Sequence, residues 1–455
     1  MPAIVTIPTP ELGDRSYLVH DGSTGVVVDP QRDVERVLEA AKAAGVEIAL
    51  VAETHMHNDY VSGGLELSRL TGADYLVAAD EDVAFARHPV SPGDEITAGR
   101  LTVSARATPG HTPNHLAYVV AEDGVACAVL TGGSMLFGTV GRTDLVSEAL
   151  TDELTRAQYR SVRGLARELP GDVAVLPTHG FGSFCSSSPP SPSASATIED
   201  ERSRNLALVV EDEGEFVSRL LTGLTAYPRY YAAMAPANRQ GPAPFPRHPP
   251  EAVDPDELRR RIEAGEWVVD LRARRAFARS HLAGTVGFEH SEQFTTYIGW
   301  VIPRGKPVTL VGASAEEVAR AARDLARIGI DHLAGGAAGD TARLAGASGV
   351  PVAAYPVTDF AGLARAMREE PRPVVLDVRR EDEWRAGHVA GAKNIFVVDL
   401  PARLAEVPAG TVWTHCASSY RASVAASLLH RAGREVVLVD DDWQNALCSG
   451  LPIEA

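Results

Sequence analysis

"VAETHMHNDYVSGG", residues 51 to 64, closes an apolar run with His55, His57 and Asp59, then passes through Tyr60 to the pair Gly63–Gly64. Two imidazoles and a carboxylate this close together at a strand end are donors that suit a metal ion. Tyr60 stands where a further ligand would be expected. The stretches "ATPGHTPNH" and "VLPTHG" add His111 and His179, each also just after an apolar run. A lone histidine is ordinarily a satisfied core or surface residue. Four at strand ends point to one edge of two facing sheets, built for zinc or iron.

Working outward, residues 1 to about 185 alternate short β-rich runs such as "SYLVHDG", "TGVVVDP" and "LTVSARATPG" with a few helical ones. In "DVERVLEAAKAAG" the positions Val34, Val37, Leu38 and Ala41 follow helical spacing, with Asp33 expected as N-cap and Gly45 as the stop. Residues 186–197, "SSSPPSPSASAT", are expected to form a loop, and "EFVSRLLTGLTAYPRYYAAM" a helical stretch. The Pro-rich "APANRQGPAPFPRHPP" is expected to be a semi-rigid linker.

An internal repeat follows. "VVDLRARRAFARSHLAG" and "VLDVRREDEWRAGHVAG" share Asp270/Asp377, Arg272/Arg379, Phe277/Trp384 and His281/His388, with the same Asp-to-His interval. Apolar runs alternating with helices in both copies predict parallel sheets. The fold class is therefore α/β, with a first domain over 1–232, a linker over 233–250, and repeat domains over 251–347 and 348–455.

At 455 residues the chain is long enough for several cores, and its 43 basic against 60 acidic residues leave a net charge of −17. That field repels polyanions, which argues against nucleic acid as a partner. The four cysteines are scattered, with no CxxC pair, so a disulfide framework is not expected and a reducing cytoplasm fits. No leader pattern and no apolar run approaching the ~18 residues of a span are seen, so no membrane partner is expected. Assembly into a homo-oligomer is compatible with this composition.

The second repeat contains "VWTHCASSYRASVAASLLHRAG", in which a strand runs into Cys416 and a helix opens at Arg421 five residues later. Such a loop points backbone N–H groups inward, and the helix dipole and Arg421 add positive potential, so an acidified thiol and a bound anion are both favoured. Cys416 and Arg421 are the candidate catalytic pair, and Ala417, Ser418, Ser419 and Tyr420 would cradle the substrate. This loop, with its Asp-x-Arg and His-x-Ala-Gly segment, resembles the rhodanese sulfurtransferases, whose loop cysteine carries a persulfide. The protein tyrosine phosphatases are similar, but their loop is one residue longer, which favours sulfur over phosphate here. In the first repeat Gly312 and Glu317 occupy the cysteine and arginine positions, so that copy is expected to be inert, a spacer or docking surface.

The histidine order resembles the metallo-β-lactamase superfamily, and "GRTDL" after "TGGSM" resembles its persulfide dioxygenase and glyoxalase II branches. Those families carry His-x-His-x-Asp-His, Gly-His, Thr-Gly-Asp and a final His. Tyr60 replaces the last histidine of the first motif and Gly133 the aspartate of the third. Without these two, a two-metal clamp is hard to assemble. His55, His57 and His111 remain for a single Fe(II), with Asp59 and His179 as further ligands; Zn(II) or no metal are the alternatives. The resemblance places Arg142 beside the thiol substrate, and Cys185 could face the same pocket as a sulfur relay. It implies oxidation of a low-molecular-weight persulfide such as glutathione persulfide, with Cys416 interconverting persulfide and thiosulfate; thiols are the other small partners. Two alternatives stand beside it: a sulfurtransferase with a metal-free N-terminal scaffold, and a metal-dependent thioester hydrolase. Restored activity in Gly133→Asp would mark the first domain as a damaged one. Cys416→Ser is expected to abolish thiosulfate sulfurtransferase turnover outright, whereas full retained turnover would reverse the assignment of the two copies.

Overall fold

Side chains alternate in and out along the strands of the first unit, and that alternation builds its layers. The computed structural model describes residues 2–187 and 195–454, so most of the Ser/Pro-rich segment expected to be a loop lies outside the described residues. Ala3–Thr9, Asp14–His20 and Thr24–Val28 form an antiparallel meander that continues in parallel through Glu47–Ala52, Asp74–Ala78 and His88–Val90. A second six-stranded sheet runs in the order Ala196–Thr197, Ala174–Pro177, Val125–Gly132, Leu116–Glu122, Leu101–Ala107, Glu95–Ala98. Tyr17, Val19, Val26 and Val28 of the first sheet meet Val103, Leu116, Tyr118 and Val120 of the second. The alternate residues Leu18, Val27 and Val51 face outward, under the helices Glu35–Ala44 and Gly64–Thr71. The outer face of the second sheet is covered by Thr151–Glu168, through Tyr159, Val162 and Leu165. The result is an αββα sandwich, each buried Val or Leu contributing about 2 kcal/mol.

Gly45 ends its helix in the left-handed region at φ 69°, where its N–H reaches the carbonyls of Ala41 and Lys42. Asp33 does not cap that helix: its carboxylate is drawn to Arg36 at 2.7 Å instead. The helical stretch expected over 215–234 is two helices, Glu213–Gly223 and Tyr231–Gln240, and the intervening segment contains Pro228, which has no N–H for a helix. Tyr231–Gln240 also takes in the first part of the segment expected to be linker. Its helical fold follows from burial of Met234, Ala235 and Asn238.

The chain divides into two compact units, Met1–Phe245 with Ala326–Gly329, and Pro246–Leu325 with Ile330–Ala455. The second unit holds two parallel sheets, one of four strands (Val286–Gly287, Trp267–Asp270, Val308–Gly312, Gly335–Ala338) and one of five (Val357–Thr358, Val436–Val439, Val412–His415, Val374–Asp377, Lys393–Asn394). In both repeats the shared residues do the same work. Arg379 forks onto Asp377 at 2.6–3.0 Å and donates to the Gly387 carbonyl, and Arg272 forks onto Asp270 and donates to the Ser280 carbonyl. His281 stacks on Phe277 at 4.1 Å and His388 on Trp384 at 3.9 Å. A motif kept intact in the copy without a cysteine serves the fold. Among the described residues no helix is long and apolar enough to cross a membrane.

Because Asp270 is 1% exposed, Asp270→Ala leaves the Arg272 charge without its partner and is expected to lower unfolding stability by about 3 kcal/mol in a denaturant titration. An unchanged midpoint would show that the pair is not part of the frame.

Candidate functional site

The chemistry-bearing residues of the first unit sit at strand ends along one edge of the sandwich. His55, His57 and Asp59 follow Glu47–Ala52, and His111 and His115 lie between Leu101–Ala107 and Leu116–Glu122. Gly133 follows Val125–Gly132, and His179 follows Ala174–Pro177. All five histidines are essentially fully buried, as is Asp59.

Donor atoms of His55, His111 and His179 lie within 4.8 Å of one another, and so do those of His57, Asp59 and His179. Every imidazole is oriented from behind. The Thr54 hydroxyl donates its proton to Asp29, so at 2.9 Å it accepts from His55 Nδ1 and leaves His55 Nε2 as a lone pair. His111 Nδ1 donates to the Arg142 carbonyl at 2.7 Å, and His179 Nδ1 to Asp14 at 2.8 Å. His55 Nε2 and His179 Nε2 then stand 3.5 Å apart. His57 is held through Nε2, which lies 2.9 Å from the Tyr60 hydroxyl, 3.2 Å from Asp29 and 3.3 Å from Glu53. His57 Nδ1, His111 Nε2 and Asp59 Oδ1 are buried with no hydrogen-bond partner. Unpartnered buried ligand atoms in two sets that share His179, with the imidazoles fixed from behind by hydrogen bonds, fit a metal cation.

Burial and the neighbouring histidines hold His55 neutral, and burial with His179 pushes His111 down to about 3, so both present lone pairs at neutral pH. His57 differs: burial opposes its charge, but Asp29 and Glu53 push it up to about 9. Burial works to raise both Asp14 and Asp59. The Asp59 charge adds to this at Asp14, whereas His179 overcomes it and holds Asp59 low.

Tyr60, the departure in the first motif, stacks on His57 at 4.3 Å and supports that ring from behind. Gly133 is as consequential. A Cβ placed there would stand 2.2 Å from His111 Cδ2, so the His111 ring occupies the volume an aspartate side chain would need. An aspartate introduced by Gly133→Asp would therefore displace the His111 ring instead of adding a ligand.

Four contributors were not singled out from sequence. Asp29 and Glu53 grip His57, and His115 accepts the Gly133 N–H at 3.1 Å. Asn238 belongs to the segment expected to be linker. Its amide donates to the carbonyls of His57 and Tyr60 at 3.0 and 2.9 Å and accepts the Ser62 N–H, clamping the motif turn. No local pattern marks it, because its partners are some 180 residues away.

The Arg142 guanidinium forks onto Asp144 at 2.7 and 2.8 Å, donates to the carbonyls of Phe184 and Thr225, and lies over the Tyr227 ring. A substrate carboxylate would have to displace Asp144 to reach it. Cys185 is buried near Asp59, and burial followed by the charges of Asp59 and Asp14 drives its thiol well above its usual range.

In the second unit Cys416 follows the strand Val412–His415, and the loop closes onto the helix Tyr420–Arg431. Cys416 Sγ accepts the Ala422 N–H at 3.4 Å, and Ser419 takes φ 73° in the turn. The Ala417 carbonyl accepts from Trp443, and the Ser419 hydroxyl donates to the Asp441 carbonyl. Arg421 is bound bidentately by Glu383 at 2.5 and 2.7 Å, a partner the sequence did not suggest. In the other copy the Glu317 carboxylate accepts the Ala313 N–H at 2.6 Å beside Gly312, so an acid fills the anion cradle.

An αββα sandwich with this histidine edge is a metallo-β-lactamase-type domain, and the crossed-over parallel sheets with the Cys416 loop are rhodanese-like. Residues 11–179 match the metallo-beta-lactamase superfamily model, and residues 361–446 the rhodanese-like domain model. The chain belongs to the persulfide dioxygenase family: the mitochondrial persulfide dioxygenase ETHE1 of Homo sapiens is 30% identical over 208 residues, 45% of this chain and 72% of that protein. A hydroxyacylglutathione hydrolase of Methylobacillus flagellatus is 37% identical over 168 residues, 36% of this chain and 61% of that protein. The crystal structure of a metallo-beta-lactamase from Staphylococcus aureus superposes with a TM-score of 0.66 at 24% identity, covering 74% of this chain and 99% of that one.

Gly133→Ala and Gly133→Asp are both expected to weaken metal binding by about 10-fold or more, measured by chelator competition on the purified protein. Tighter binding in Gly133→Asp would show that the His111 ring yields and that the site is a repairable relic.

Proposed function

We propose that the first unit oxidises a low-molecular-weight persulfide at a single iron, and that Cys416 in the second unit carries sulfane sulfur between small thiols and thiosulfate. The observation that supports the first half is the pair of overlapping ligand sets, His55–His111–His179 and His57–Asp59–His179, in which His57 Nδ1, His111 Nε2 and Asp59 Oδ1 have no hydrogen-bond partner. His55, His111 and His179 would hold the metal, with His57 and Asp59 in the adjoining set that shares His179. Iron supplies the oxygen chemistry that takes a persulfide, oxygen and water to a thiol, sulfite and two protons. The chain's own part is positional. Thr54, the Arg142 carbonyl and Asp14 keep lone pairs aimed inward, Asn238 fixes the turn, and the buried setting excludes bulk water.

At the second site the Cys416 thiolate attacks the outer sulfur of thiosulfate. The S–S bond breaks, sulfite leaves with the electron pair, and the persulfide so formed passes its outer sulfur to a thiol. Cys416 is free, as a sulfur-carrying thiol requires.

The hydrolase relative favours a second reading, thioester cleavage at two metals. Tyr60 turned toward His57 and the missing carboxylate at Gly133 leave that second metal without two of its ligands, so we set it below the dioxygenase. Protein purified without oxygen is expected to contain iron and to consume oxygen when given glutathione persulfide. Iron-loaded protein that consumes none, yet cleaves a glutathione thioester, would replace the proposal with the hydrolase.

A further inference from the structure

We infer that Arg327, in the last turn of the helix Ala315–Arg327 of the cysteine-less repeat, is a positioning residue of the metal centre, latching the turn that carries His57 and Asp59. The inference rests on the reading of the histidine edge as a metal site.

Ala326–Gly329 belong to the first unit, although the repeat on either side of them belongs to the second. A helix leaves its last four carbonyls without partners of its own. Two of them here are taken by the first unit. The Arg327 carbonyl accepts the Val61 N–H at 2.7 Å, and the Ala326 carbonyl accepts from Arg32 Nη1 at 3.0 Å. Val61 is buried and follows Asp59 by two residues.

The Arg327 side chain secures what its carbonyl holds. The guanidinium is buried, meets Asp33 at 2.7 Å and reaches Glu11 at 3.3 Å. Burial works against the Asp33 charge, but Arg327 and then Arg36 hold its carboxyl below the usual carboxylate range. Removing a guanidinium from a buried carboxylate leaves that charge under-compensated, so the pair resists separation. Arg32 also donates from Nη2 to the Ala243 carbonyl at 2.8 Å.

Three distant segments therefore share one turn. Asn238 takes the Ser62 N–H, the Pro30 carbonyl takes the Gly63 N–H at 2.8 Å, and Arg327 takes the Val61 N–H. Asn238 and Pro30 lie within the first 245 residues, whereas Arg327 arrives from the repeat. Arg431, at the matching place in the second repeat, donates to the Gly265 carbonyl and lies over the Trp267 ring inside the second unit. The same helix end has thus been put to different use in the two copies. A repeat without its nucleophile still delivers the segment that closes the metal-motif turn.

The test uses the full chain and three readouts: amide exchange around Val61 in metal-free protein, zinc(II) affinity by chelator competition, and iodoacetamide labelling of Cys416. Zinc takes the same histidine and carboxylate donors without any oxygen chemistry. Arg327→Ala is expected to speed exchange at Val61 about 10-fold or more and to weaken zinc binding about 10-fold, with Cys416 labelling unchanged. Arg327→Lys, which keeps a charge for Asp33, restores part of both losses. Asp33→Asn gives the same pair of changes and serves if the alanine variant does not fold. Unchanged Val61 exchange in Arg327→Ala and Asp33→Asn overturns the inference. So does faster exchange with wild-type zinc affinity, faster exchange spread evenly over the first unit, or a wild-type chain that holds no zinc. A wild-type chain that binds zinc but oxidises no persulfide would sink the proposed function and leave the latch standing on its own readouts.

Discussion

The buried Asp29 carboxylate accepts hydrogen bonds from the Thr54 backbone and hydroxyl and from the Thr178 hydroxyl, and its Oδ1 stands 3.2 Å from His57 Nε2. Thr54 and His55 lie just past the end of Glu47–Ala52 in the first sheet, and Thr178 and His179 just past the end of Ala174–Pro177 in the second. One carboxylate thus ties the two sheet edges together immediately behind the histidines. Burial works against its charge, but His57 and the threonine donors hold it below the usual carboxylate range. Asp29 itself adopts φ 52°, an uncommon backbone state for a side chain-bearing residue, and these bonds make it tolerable. The orientation of His55, of His57 and of the strand end carrying His179 depends on this anchor.

The two losses in the metal motifs then act in one direction. Tyr60 leaves the set of ligands and becomes a brace for His57, and Gly133 lets the His111 ring settle against the backbone. What remains, among the described residues, is a nitrogen-rich centre in which Asp59 keeps one oxygen without a partner, while Asp29 and Glu53 are engaged with His57 and Asp14 with His179. The second unit shows a comparable division. The Asp–Arg fork and the stacked histidine persist in both repeats, while thiol and guanidinium persist in one. A carboxylate at Glu317 now closes the loop of the other.

Much of this was legible in the sequence, for physical reasons. The continuous apolar runs in "SYLV" and "TGVVV" follow from one side facing the intersheet core and the other the helices, and the histidines at strand ends follow from the same layering. The repeat was visible because Asp, Arg and His make local contacts at fixed intervals. Residues whose partners are distant in sequence were not legible. Asn238 sits in a Pro- and Ala-rich stretch that resembles a linker, Glu383 looks like one more acid on a charged helix, and Asp29 like an ordinary strand-end aspartate. Arg142 was read for its side chain, whereas its carbonyl is the group that orients His111. The sequence showed the missing carboxylate at Gly133, but not that the His111 ring fills its place.

A histidine-rich centre for one metal, closed by His111 over Gly133, is the central claim, and X-ray absorption at the iron edge of anaerobically loaded protein addresses it most directly. The account predicts one iron per chain, a first shell of nitrogen and oxygen with imidazole scattering from at least three histidines, and no metal–metal vector. Two irons per chain with a vector at about 3.5 Å would contradict it.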